Sequence, residues 1–243
     1  DHNIIFYKNI ISIIRSIDQK LELRGRDSFG ITIQINIENK SLLNEIKSSS
    51  NKYLKNCKTE TFVSKNRKCI NFSFKTFNKI GALGENANLI KELIKKEKIF
   101  KKIVLSEKIN SALIIGHTRW ASVGSVDIEN THPIFCKLKD RNEWFGAVLN
   151  GDIYNYKNIL QENSKVLFEK KCTTDCLAVP FSFANNNVAN IHRERQIINK
   201  FDGSFTIGTF NSKNNNLSVF KKGTQGLYLG VSEDNIMFAS DVY

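Results

Sequence analysis

Two short apolar runs, Ala112-Leu113-Ile114-Ile115 and Ala147-Val148-Leu149, each end abruptly in chemically specific residues: His117-Thr118-Arg119-Trp120 after the first and Asn150-Gly151 after the second. Runs of this length and composition read as strands buried in a core. Side chains at the ends of core strands are held rigidly, which is how positioned catalytic groups are built. The stretch from Gly116 to Gly151 also holds two of the four His, both Trp and one of the two Pro. Scarce, reactive residue types are concentrated there, so function is sought there first.

Around this stretch the periodicity gives helices and strands. From Phe6 to Leu23, apolar residues recur at Ile10, Ile14, Ile17 and Leu21, the spacing of an amphipathic helix. A polar turn from Leu23 to Gly30 leads into Ile31-Thr32-Ile33-Gln34-Ile35-Asn36-Ile37, whose strict alternation predicts a half-buried strand. Residues 38–78 are rich in Lys, Asn and Ser and read as an irregular, mostly exposed insertion with one short helix and one strand. A second amphipathic helix is expected over Glu85 to Val104, with a solvated basic face. Beyond Gly151, helices are expected at Tyr154–Leu160 and Asp175–Phe183, and strands at Phe205–Phe210, Leu217–Phe220, Gly226–Gly230 and Ile236–Ala239, with a turn at Asn214-Asn215-Asn216. Helices and sheets thus mix without the regular βαβ alternation of a dinucleotide-binding fold, and no Gly-rich phosphate loop or internal repeat is present.

A length of 243 residues with 41% hydrophobic residues can bury a sizeable core in one large domain or two small ones. No apolar run approaches the roughly 20 residues that span a bilayer, and neither a membrane span nor an export signal is expected. The five cysteines form no C-x-x-C pair, so reduced thiols in a cytoplasmic setting are expected. Cys172 and Cys176, with His192 nearby, lack zinc-site spacing, and neither metal nor cofactor is expected. The net charge of +12 comes from Lys scattered among Asn and Ile rather than gathered in a stripe, which argues against specific nucleic-acid binding.

Arg119, at a strand end, has the planar fork that makes two charge-assisted hydrogen bonds to a carboxylate; the alternative is a structural ion pair. Asp175, after Thr173-Thr174, can receive an ammonium or serve as an ordinary first-turn acid of a helix. Asn150-Gly151 is either a hairpin turn or an oxyanion hole, in which an amide and a backbone N–H meet developing negative charge. His117 and His132 have no Ser or Cys elbow to activate, and structural hydrogen-bonding roles are expected of them.

Arg24-Gly25-Arg26-Asp27-Ser28, His117-Thr118-Arg119-Trp120-Ala121, His132-Pro133, Asn150-Gly151 and Thr174-Asp175 occur in the order seen in class II glutamine amidotransferases, and the chain most resembles the glutaminase domain of the glucosamine-6-phosphate synthases. Gly223 to Tyr243, with Ala239-Ser240-Asp241, resembles the end of the same domain. The resemblance implies an α+β fold, the four-layer αββα N-terminal-nucleophile sandwich, over residues 1–243. It implies that Arg119 holds the α-carboxylate of L-glutamine and Asp175 its α-ammonium. Asn150 and Gly151 would form the oxyanion hole, and Trp120 and Ser122 would shape the pocket wall. It implies as partner a downstream sugar-phosphate-binding synthase domain, through which the protein would form a homodimer and which would convert fructose 6-phosphate to glucosamine 6-phosphate.

Two departures stand out. The family's nucleophile is an N-terminal cysteine whose own amino group acts as base, and the sequence opens on Asp1. A domain truncated at both ends, inactive as it stands, is therefore expected. Val123 stands where the family usually has His, and Ser122 where it has Thr. The competing expectations are a glutaminase feeding another acceptor, as in amidophosphoribosyltransferase or asparagine synthetase, and a catalytically dead amino-acid-binding module.

Overall fold

The computed structural model describes residues 2–20, 25–37, 46, 52–54, 56–64, 69–77, 83–106, 109–138, 143–162, 166–186, 188, 190–212, 216–233 and 235–241. Alternation along β1 (Ser28–Ile37) sorts its side chains onto two faces. Phe29, Ile31, Ile33 and Ile35 share one face with Ile70, Phe72 and Phe74 of β4 (Cys69–Phe77), and all seven are fully buried. That face is roofed by Ile10 and Ile14 of α1 (His2–Lys20), Ile90 and Ile94 of α2 (Glu85–Lys96), and Phe100, Ile103 and Val104 of α3 (Lys98–Ser106). Each such Ile or Phe contributes about 1.5–3 kcal/mol on burial, so this interface alone fixes which face of the sheet looks outward. The sheet is antiparallel, in the order β2 (Lys52–Leu54), β3 (Cys57–Ser64), β4, β1, β5 (Ile109–Arg119).

A second antiparallel sheet has the order β10 (Leu217–Lys222), β9 (Gly203–Asn211), β7 (Glu143–Ile153), β6 (Ile134–Leu138), β8 (Val166–Phe168). Its outer face, with Ala147, Leu149, Ile153, Phe205 and Ile207, packs on α5 (Ala178–Asn185), α6 (Ile191–Ile198) and, at the margin, α4 (Tyr156–Leu160). Between the sheets, Leu113 and Ile115 of β5 meet Trp144, Val148 and Phe210. Helices, sheet, sheet, helices make the four-layer αββα sandwich. A separate hairpin, β11 (Tyr228–Val231) and β12 (Ile236–Ala239), closes the chain. No helix among the described residues is long and apolar enough to cross a membrane.

The inner face of the first sheet is polar, and here the structure departs from the alternation rule. β1 is buried on both faces rather than half-buried, because its neighbours pair its edges and the second sheet covers Thr32 and Gln34. Gln34 is satisfied across the gap, donating to the Asn211 carbonyl (3.2 Å) and accepting from the Trp144 indole N–H (2.9 Å), while within the first sheet the Thr32 hydroxyl donates to Asn71 Oδ1 (2.9 Å). The stretch 38–78, expected to be irregular and exposed, supplies β2, β3 and β4, and every residue of β3 is buried. Its polar residues are buried because Lys58 and Glu60 face the second sheet, while Thr59 and Thr61 share the helix-covered face with Phe72 and Phe74. The expected helix over Glu85 to Val104 is two helices, broken at Glu97, whose backbone is extended (ψ 100°) and whose carboxylate accepts the Ile99 N–H (3.2 Å). Asp175–Leu177 is a short 3-10 helix leading into α5. Strands β6 and β8 and helix α6 carried no expectation, and the last residues of the first helix (21–23) and Asn214-Asn215 of the expected turn lie outside the described residues.

Candidate functional site

Odd-numbered residues of β5 point between the sheets, so Leu113 and Ile115 in the core are followed on the same face by His117 and Arg119. Arg119 is 4% exposed and donates to the main-chain carbonyls of Ser125 (3.2 Å) and Val123. No ion pair to Arg119 forms among the described residues, although Asp175 and Asp127 are near enough for their charges to act on it; burial pulls its pKa down and those carboxylates push it up. A buried guanidinium without an ion-pair partner is a receptor for an anion. The contact with residue 123 is made by its carbonyl, so the presence of Val rather than His at that position leaves it intact.

The corner after β5 is clamped by the glycine-rich turn before β1. The Asp27 carboxylate accepts the Ala121 N–H (2.8 Å), and the Asp27 N–H donates to the Arg119 carbonyl (3.1 Å). Fully buried Asn130 ties the following loop to the segment that delivers Asp175. Its Oδ1 accepts the N–H groups of Thr173 (2.7 Å) and Thr174 (2.9 Å), and its Nδ2 donates to Ser125, Asp127 and Thr173. This hub had no assigned role in the sequence. Its one signal was the Ser125…Asp127…Asn130 spacing, a local side-chain-to-backbone turn pattern.

Asp175 is 3% exposed at the start of the 3-10 helix. Its Oδ2 accepts the Ile153 N–H at the end of β7 (2.8 Å), and its Oδ1 accepts from the Cys176 N–H (3.0 Å) and the Thr174 hydroxyl (3.2 Å). Three donors on a carboxylate leave about one of its four acceptor positions open. Burial raises its pKa and nearby Asp152 adds to the rise, while the three hydrogen bonds oppose it.

Behind Asp175 lies a relay. The Leu149 N–H can only donate, so His132 Nδ1 accepts it (3.4 Å) and the ring proton sits on Nε2, 3.5 Å from the Thr174 hydroxyl, which in turn donates to Asp175. The His132 ring lies 4.6 Å from that of His117. Burial depresses both imidazoles, His117 to about 4, with Arg119 adding to the effect. Both rings are neutral near pH 7. Gly30 lets the His132 carbonyl approach β1, where a Cβ would lie 1.9 Å from that oxygen.

Asn150-Gly151 is not a turn, since β7 runs straight through it and pairs Asn150 with Thr206 and Gly151 with Phe205. Gly151 has φ +112°, and a Cβ there would lie 2.1 Å from the Ser204 carbonyl oxygen. Only glycine fits. Asn150 shares the inter-sheet face with Val148, and its side-chain amide makes no hydrogen bond among the described residues. Ser122 Oγ donates to Asp152 (2.8 Å), beside this strand end, whereas Trp120 stands 68% exposed outside the buried group. The structure therefore gathers Arg119, Asp175, Asn150 and Gly151 at one end of the inter-sheet space, with Ser122 at the rim and Trp120 in solvent.

All five cysteines are buried and free. Burial pushes Cys69 up to about 12 and Cys172 to about 11, and raises Cys136 and Cys176 well above the usual thiol range. A thiol held protonated is a poor nucleophile. Among the described residues no three His, Cys, Asp or Glu side chains gather to hold a metal ion.

Two antiparallel sheets between helical layers make the αββα sandwich of the N-terminal-nucleophile fold, and where β5 and β7 end they place a guanidinium without an ion-pair partner, a buried carboxylate and a side-chain amide without a hydrogen bond among the described residues. Residues 117–243 match the glutamine amidotransferase domain family, and the chain belongs to that family. It is 31% identical over 140 residues to the isomerizing glutamine–fructose-6-phosphate aminotransferase of Chlamydia abortus, a match covering 56% of this chain and 22% of that one. The enzyme of the same name from Methanocaldococcus jannaschii is 32% identical over 139 residues, covering 54% of this chain and 12% of that one. The Staphylococcus aureus enzyme is 28% identical over 143 residues, covering 58% and 23%. The chain thus matches less than a quarter of the length of these relatives. In fold it is similar to a solved structure titled as the allosteric regulatory enzyme of purine biosynthesis, with a TM-score of 0.51 and 16% identity over 87% of this chain and 41% of that one.

Proposed function

We propose that residues 1–243 form one glutaminase domain that binds L-glutamine and, in the intact protein, hydrolyses it to glutamate and ammonia for a sugar-phosphate acceptor held in a synthase domain. One observation carries the reading: Arg119, buried without an ion-pair partner, lies within electrostatic reach of Asp175, which keeps an acceptor position open. Together they suit the α-carboxylate and α-ammonium of one amino acid. The unbonded Asn150 amide and the Gly151 backbone are the proposed oxyanion donors, each such donor being worth about 2.7–4 kcal/mol of barrier. Ser122 is proposed as a rim contact, and Trp120 as a wall only when ligand covers it. The names of the three relatives support fructose 6-phosphate as acceptor.

The chemistry requires a thiolate that adds to the glutamine side-chain amide carbon, expels ammonia and leaves a thioester for water to cleave. The five buried thiols do not supply it, so the 243 residues alone are proposed to bind glutamine without turnover. The same observation favours, as a second reading, an amino-acid-binding module without catalysis. Calorimetric titration tests the shared claim. Arg119→Lys keeps the charge but loses the fork, and at about 1.5–3 kcal/mol per charge-assisted bond it should weaken glutamine binding by ten- to a hundredfold; unchanged affinity would refute the assignment. Glutamine turnover by the protein with its natural N-terminus then separates glutaminase from module.

A further inference from the structure

At the other side of the inter-sheet space lies a cavity of about 230 Å³, walled by β3 and β4 on one side and by β6 and β8 on the other. Lys58, Lys75 and Lys137 line it from both sheets. Lys58 and Lys75 are 6% and 5% exposed and directly opposite each other in the β3–β4 register. Like charges in that position repel, and burying them adds a desolvation cost.

Of the three carboxylates on the lining, the buried one is Glu60, two residues along β3, and it pairs with Lys58 at 3.2 Å. Lys75 and Lys137 form no ion pair among the described residues and rest instead on aromatic faces. Lys137 Nζ is 3.6 Å from the centroid of Phe62, and Lys75 Nζ is 5.5 Å from that of Phe135. The other carboxylates on the lining, Glu129 and Glu169, are half-buried and exposed respectively, nearer to water, where charge acts more weakly. Burial lowers the pKa of Lys75 to about 8, with Lys58 adding to the fall and the Glu60 carboxylate opposing it.

We propose that this cavity binds a small dianion of the phosphate class, held by the ammonium groups of Lys58, Lys75 and Lys137. Ammonium groups from two facing sheets suit a tetrahedral anion with acceptors on all sides; a planar carboxylate would favour an Arg fork. The volume admits inorganic phosphate or the phosphate end of a short monoester, against a wall of Phe62, Phe135 and Leu167. The site shares no lining residue with the Arg119–Asp175 group, so its test is independent of glutamine.

The experiment titrates inorganic phosphate, and separately glycerol 3-phosphate, into the protein at ionic strength held constant with chloride, reading heat and thermal midpoint. A saturable rise in midpoint is expected, with affinity falling about tenfold or more in Lys75→Met and in Lys137→Met, and unchanged in the control Lys221→Met at an exposed position. Both variants should fold without phosphate, since Met keeps the stem's volume and removes an uncompensated charge. Tighter binding of the monoester would support an organic phosphate as natural ligand, and tighter binding of inorganic phosphate a free ion. A non-saturating response, or one that both Met variants retain, would show adsorption to the basic surface only and overturn the proposal.

Discussion

Removing the side chain of Asn130 tests how the site is held together. Asn130→Ala deletes the acceptor of two N–H groups and the donor to Ser125, Asp127 and Thr173. Thr174 is 1% exposed, so its N–H loses its partner with no water to replace it, at about 1–3 kcal/mol. Thr173 is exposed, and its N–H can turn to solvent at smaller cost. With the lost donations, a destabilisation of about 2–4 kcal/mol is expected, a fall in thermal midpoint of about 5–15 °C for a chain of this size. Urea unfolding followed by Trp fluorescence gives the value, and calorimetry with glutamine gives the site's response. Asn130→Asp keeps both N–H acceptances but sets a buried carboxylate oxygen against the Ser125 carbonyl and the Asp127 carboxylate, so it should be no more stable than Ala. A loss under about 1 kcal/mol in Asn130→Ala, with unchanged glutamine affinity, would refute the view that this side chain positions Asp175.

Gly151→Ala forces a Cβ to 2.1 Å from the Ser204 oxygen at φ +112° and should cost about 3 kcal/mol or more, measured by urea midpoint; a change under about 0.5 kcal/mol would mean that β7 bends freely there. His117 has its folded pKa depressed to about 4, below the unfolded value of about 6.5. The unfolded state therefore binds the proton first, and this contribution to stability is intact above about pH 6.5 and falls on acidification towards pH 4. Imidazole resonances followed by NMR should show no His117 titration near pH 6.5, and a titration there would contradict the buried neutral pair.

The residues that announce the site in the sequence are those whose chemistry is scarce in this chain: Arg119 at the end of an apolar run, Asp175 after two Thr, Asn150-Gly151 after another run. Their convergence was not legible, because it is made by β1 lying between β4 and β5 and by β7 facing β5, pairings distant in the chain. The turn reading of Asn150-Gly151 failed for a similar reason, since a local dipeptide preference is overridden when β9 pairs the strand on both sides of it. Residues 57–77 were misjudged because polarity was equated with exposure, whereas Thr61, Asn71 and Ser73 lie inside the sandwich. Trp120 shows the converse, an aromatic residue that no neighbour covers.

The polar lining between the sheets connects the two charged regions. Thr32, Gln34, Asn71, Ser73 and Lys75 present oxygen and nitrogen where a sandwich usually presents hydrocarbon, and Asn71 Nδ2 and Ser73 Oγ find no partner among the described residues. At one side of this seam stands Arg119 with Asp175, at the other the lysine cavity. Asn130 joins them, since its neighbour Glu129 lines the cavity while its own amide holds Thr173 and Thr174 in front of Asp175. Cys172, three residues before Asp175, also lines the cavity. One short segment is thus shared by both walls, and a shift of that segment cannot be confined to one of them. Loss of the Asn130 amide should accordingly disturb the phosphate response together with the glutamine response, whereas Lys75→Met, which leaves that segment's hydrogen bonds intact, should disturb only the first.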